Sequence, residues 1–192
     1  MVFSRCSDET SSEIEIYEYL EICYEDYYLN YDVQVTHELT KFEQHLIKEG
    51  HLSDTSGAAY KSLLDNLSKD IYFSPPLKFD DFNNTILYKV PGDIKQCASS
   101  IFGIDTNLVK ETDYFQAQVE IREDLKDNEE VSIGALFKYN SEHLSPNLMK
   151  APFVKQSVQQ LLYKWYFKSK YDREIPLKDV AEQSKTDTAS VK

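Results

Sequence analysis

His37-Glu38-Leu39-Thr40-Lys41 is the stretch of this chain that comes nearest to a catalytic pattern. In the zinc-protease spacing H-E-x-x-H, two imidazoles share one helical face with a glutamate base beside them. Here Lys41 stands where the second histidine is needed, and a cation at that point repels a metal. His45 lies eight residues from His37, which is more than about 10 Å along a helix axis. These are surface histidines, and no metal ligand is assigned. Thiol chemistry fares no better. Cys6, Cys23 and Cys97 make no short-spaced pair of the kind a zinc or redox centre requires. Cys23 and Cys97 fall on apolar stripes and read as reduced, structural thiols. Asp80, Asp81, Asn83 and Asn84 offer oxygen ligands, but without the alternating spacing and central glycine of a calcium loop. The five glycines are scattered singly, so there is no phosphate-cradling loop, and no cofactor is expected.

What rises above this background is the placing of charge. Between Cys6 and Thr40 there is no Lys or Arg, but there are ten acids, from Asp8 to Glu38. Tyr17, Tyr19, Tyr24, Tyr27, Tyr28 and Tyr31 are interleaved with them. From Lys138 to Lys178 the balance reverses, with Lys150, Lys155, Lys164, Lys168, Lys170 and Arg173 facing only three acids. Two consequences are open: the opposite ends dock on each other within the fold, or the acidic segment meets a basic partner. The net charge of −12 repels nucleic acid and anionic membranes, and it favours solubility and a basic protein partner.

The elements that must position these groups are helical. Ile16, Leu20, Cys23, Tyr24 and Tyr27 form one stripe from Glu13 onward. Val35, Leu39, Phe42 and Leu46 form a second, capped by Thr36 and stopped by Gly50. Tyr60, Leu63, Leu64 and Leu67 form a third, close enough to the second to lie antiparallel to it. A passage forced open by Pro75-Pro76 leads to a loop over 77–88 and a short helix between Gly92 and Gly103. Residues 113–125 are ambiguous: Phe115, Ala117, Val119 and Ile121 alternate as in a strand, while Phe115, Val119, Arg122 and Leu125 suit a helix, which is preferred. Val131 to Tyr139 is helical, and Val154, Val158, Leu161, Leu162 and Trp165 make a strong stripe after Pro152. With Tyr163, Tyr166 and Phe167, Trp165 forms an aromatic cluster suited to core packing or to docking. The fold expected is mostly α: an irregular domain of about five to seven helices over 13–176, with a small β hairpin near 113–125 as the alternative. Residues 1–12 and 177–192 read as polar tails.

Val2-Phe3-Ser4-Arg5-Cys6, followed by Ser7-Asp8-Glu9-Thr10-Ser11-Ser12, resembles the end of a bacterial lipoprotein signal and its acidic, Ser-rich tether. The resemblance covers the first dozen residues and departs from that pattern at Arg5, where a small residue is usual. It implies lipidation at Cys6 and a place in the cell envelope; without it the chain reads as cytoplasmic, and no stretch is long and apolar enough to span a membrane. The functional expectation is a non-catalytic binding or accessory protein. Its acidic and aromatic surface would be built from Glu18, Glu21, Tyr24, Glu25, Asp26 and Tyr28. The competing class is an enzyme whose carboxylates and histidines come together only in the fold. That class would show a concave pocket of converging titratable groups, where a binding module would show an exposed patch of Tyr and carboxylate.

Overall fold

In a computed structural model, residues 8–69, 106–126 and 132–171 are described, and the chain is all-α. The helices are α1 (Asp8–Leu29), α2 (Val35–Lys48), α3 (Gly57–Leu67), α4 (Thr106–Lys110), α5 (Asp113–Leu125), α6 (Ile133–His143) and α7 (Pro152–Tyr171), with a 3-10 turn at Leu148–Lys150. Among the described residues there is no strand. The loop at 77–88, the helix expected between Gly92 and Gly103, Cys6, Cys97 and the segment 177–192 all lie outside the described residues.

Sequence explains where the helices start and stop. The α1 helix begins at Asp8, earlier than the stripe from Glu13 suggested, so Asp8–Ser12 are helical rather than tail. It ends where Asp32 takes a positive φ of 57°. At the start of α2 the expected Thr36 cap is replaced by a longer reach. No side chain at the N-cap Gln34 closes the first turn. Instead the Glu25 carboxylate accepts both the Thr36 N–H at 3.0 Å and the Thr36 hydroxyl at 2.6 Å. An acid at a helix N-terminus satisfies orphan donors and suits the helix dipole. Gly50, at φ 76°, stops α2. There the Gly50 N–H bonds to the Ile47 carbonyl and the His51 N–H to that of Leu46, a pairing that needs the left-handed conformation of Gly50. Ser56 caps α3 and Thr112 caps α5, each accepting the N–H three residues on.

Residues 113–125 settle as helix because Tyr114, Ala117 and Ile121, at i, i+3 and i+7, are the buried set. Val119, which the hairpin alternative needed inside, is 47% exposed. The hairpin is thereby excluded.

The core lies between α7 and the helices it crosses. On one side α7 packs on α1 and α2; elsewhere α6 packs between α3 and α5. The two acidic and basic ends of the sequence do therefore meet, but through apolar and neutral polar groups. Phe153 of α7 meets the Tyr24 ring edge-on at 6.2 Å, and Gln160 donates to the Tyr28 hydroxyl. Tyr163, Tyr166 and Phe167 are buried, and the half-buried Trp165 is edge-on to Phe137 at 6.3 Å. The aromatic cluster is core, not a docking patch. Gly57 allows a close approach: a Cβ there would sit 2.2 Å from the Pro146 carbonyl oxygen, so α3 can pack on the turn before Leu148 only through glycine.

Cys23 is disulfide-bonded, to a cysteine outside the described residues. The expectation that Cys23 is a reduced, structural thiol is corrected: half-buried on α1, it is paired.

Candidate functional site

The α1 helix carries apolar residues on two faces, and this defines the site. Its inner face, Ile16, Tyr17, Leu20, Tyr24 and Tyr28, is buried. Tyr24 and Tyr28 stand edge-on at 4.9 Å, and burial pushes both phenols above their ordinary pKa. They were expected on an interaction surface. At i, i+4, alongside Leu20, they fall instead on the stripe that faces α7. Of the other expected residues, Glu18 and Asp26 are exposed and Glu21 is half-buried. Glu25 is half-buried and committed to capping α2. The six residues therefore do not form one surface. Only the acids remain outside.

Glu18 and Glu21 instead border a groove of about 510 Å³ that the sequence did not announce. One wall is α1, through Glu13, Ile14, Tyr17, Glu18 and Glu21; Asp113 of α5 joins the lining; Ser145, Asn147, Leu148, Lys150, Ala151 and Pro152 supply the rest. The α5 end is fastened to α1 by hydrogen bonds. The Glu13 carboxylate accepts the Asp113 N–H at 2.8 Å and also the Tyr17 hydroxyl, which in turn accepts the Tyr114 N–H at 3.0 Å. Burial and the Glu13 carboxylate push the Tyr17 phenol well above its usual range. Ser145 accepts the Leu148 N–H at 3.0 Å and so shapes that last part of the lining. Partial burial, with the like charges of Glu25 and Glu18, raises the pKa of Glu21. The groove is thus an apolar trough with an acidic rim on the α1 side and one lysine opposite.

The H-E-x-x-K stretch resolves as structure: Lys41 pairs with Glu38 at 3.0 Å and His37 is exposed. Among the described residues, no three His, Cys, Asp or Glu side chains converge to hold a metal.

Away from the groove, His143 bridges α6 to α5, with Nδ1 at 2.9 Å from Glu120 and Nε2 at 2.7 Å from Asp124. Burial pulls its pKa down, but hydrogen bonds and charge from Asp124 and Glu120 outweigh that and raise it above 6.5. Both ring nitrogens face acceptors, so the geometry suits the imidazolium. Since the folded pKa is the higher one, the stabilisation is full below pH 6.5 and is lost as pH rises through the folded value. His143→Gln should therefore lower Tm most in mildly acidic buffer, and the gap to the parent should close at alkaline pH. A gap that does not change with pH would remove the bridge.

Comparison of the chain with protein-family models, with curated proteins and with solved structures finds no match.

Proposed function

We propose that this chain is a protein-binding module that captures a basic partner on the outer face of α1. One observation carries the reading: Ile14, Ile22 and Leu29 remain 55%, 62% and 47% exposed on the helix whose opposite face is already buried. They share that outer face with Glu18, Glu21 and Asp26, and no Lys or Arg interrupts it. A face that is apolar, acidic and uncovered suits a partner that is apolar and basic. Tyr24 and Tyr28, being buried, take no part in it.

The test uses the tagged chain and a Glu18→Gln/Glu21→Gln/Asp26→Asn variant, compared for capture of defined basic proteins at low and raised salt. Capture that weakens with salt and falls in the variant, with unchanged helicity, is the expected result. Equal capture by both would end the proposal.

A second reading follows from the groove's shape, because a concave site with a raised glutamate pKa is also where acid catalysis would reside. It is the weaker reading: Glu13 is occupied as a cap and Ser145 as a turn acceptor. The Cys23 disulfide suits an oxidising compartment, which favours the envelope placement over the cytoplasmic one. Thiol titration of the unfolded, unreduced protein should then find no free thiol where Cys6 carries a lipid, and one of the three cysteines free in a form made without lipid. Finding three would withdraw that placement.

A further inference from the structure

Resting on the reading of α1 as a capture surface, we infer that its groove is a receptor for a single arginine side chain flanked by apolar residues of the partner. The volume of about 510 Å³ lies within the range of sites that enclose small ligands. Its contents choose the occupant. Ile14, Leu148 and Pro152 offer an apolar path for an alkyl stem, which long cationic side chains cover while keeping the charge at the rim. At that rim stand Glu18 and Glu21, three residues apart on α1, with Cβ atoms about 5–6 Å from each other by helix geometry. A guanidinium, planar with five fixed donors, spans two such carboxylates, whereas an ammonium meets one at a time.

Lys150 in the lining sets direction and number. It repels a second cation, so a run of lysines or arginines gains nothing from this groove, and it favours a chain that presents backbone carbonyls there. The occupant is therefore one arginine between apolar neighbours rather than a polybasic tract. Ile22 and Asp26, further along the outer face, lie outside the groove and supply general attraction.

The experiment is an amide-resonance titration of the isotopically labelled full chain with three short leucine-flanked peptides, whose central residue is arginine, lysine or citrulline. The arginine peptide should produce saturable shifts confined to 14–21, 113 and 145–152. Lysine should bind more weakly and citrulline should give no saturable shift. Glu18→Gln and Glu21→Gln should each weaken the arginine peptide about tenfold, the fold-change of one charge-assisted hydrogen bond. Leu148→Ser should weaken it as well, while Asp26→Asn and Ile22→Ser leave it unchanged, all in variants that melt as the parent does. Equal binding of arginine and citrulline, or shifts running along 22–29 instead, would overturn the groove assignment while leaving the α1 capture surface standing. Groove shifts that arise on concentrating the protein alone would make a second copy the occupant and would also overturn it. If neither peptide binding nor acid-dependent capture of basic proteins is seen, both readings fall together.

Discussion

Phe153→Ala is expected to cost about 3–5 kcal/mol of folding stability, the range for removing a fully buried phenyl ring. Phe153 is 1% exposed, and its ring meets Tyr24 of α1 at 6.2 Å and Tyr114 of α5 at 5.4 Å, both edge-on. Neither neighbour is free to collapse into the space. Tyr24 is fixed against Tyr28, and Tyr114 is tied by its backbone N–H to Tyr17. The cavity term therefore adds to the lost transfer energy. Against a total of about 5–15 kcal/mol for a domain, such a loss takes a large share of what holds the fold. Urea unfolding followed by Trp165, the single tryptophan, should show a lower midpoint at unchanged slope. A loss below about 1 kcal/mol would mean the ring does not occupy the junction of α1, α5 and α7.

The second large effect concerns a carboxylate in the core. Glu43 of α2 is 5% exposed and accepts from the Tyr60 hydroxyl at 2.9 Å and from Lys155 at 3.2 Å. The Tyr60 hydroxyl in turn accepts from Gln159 at 2.8 Å, so the chain of bonds joins α2, α3 and α7. Removing one partner of a buried ion pair leaves the other charge uncompensated. Lys155→Met should cost about 3 kcal/mol, near the lower end for such pairs because part of the Lys155 side chain still reaches water. Replacing both partners, as in Glu43→Leu/Lys155→Met, should restore most of the loss, since an apolar pair of similar volume needs no compensation. The double variant makes the argument testable against a simpler one. If it is as unstable as Lys155→Met, the cost lies in packing of the lysine stem and not in the stranded charge.

The helices were legible in sequence where a single apolar stripe faces one core. Leu39, Phe42 and Leu46 of α2, and Tyr60, Leu63, Leu64 and Leu67 of α3, are buried as their spacing required. Reading failed where polar residues go inside. Gln156, Gln159 and Gln160 make α7 buried over a wider arc than its Val and Leu stripe, and each finds a partner only in another helix: Thr36, Tyr60 and Tyr28. No local pattern marks such partners. The interleaving of Tyr with Glu in α1 misled for the opposite reason. Adjacent in sequence, the two residue types separate on the helix, with Tyr17, Tyr24 and Tyr28 turned inward and Glu18 and Glu21 outward. The apolar Ile14 and Ile22 on that outward side were the available signal for the site. The groove itself was not readable, because its walls come from three segments, 13–21, 113 and 145–152, that only the Glu13 and Tyr17 hydrogen bonds to α5 and the packing of α1 on α7 bring together.

The pairing of α1 with α7 also sets a timetable for synthesis. Tyr28 must wait 132 residues for Gln160, an interval on the order of 10 s at ribosomal speeds of about 5–20 residues per second. Through that interval the face of α1 that carries Tyr24 and Tyr28 has no α7 to pack on. The ten acids between Cys6 and Thr40 travel with that segment, and their like charge disfavours close contact between unfinished copies. The charge proposed to meet a basic partner in the finished protein is thus already present on the unfinished one.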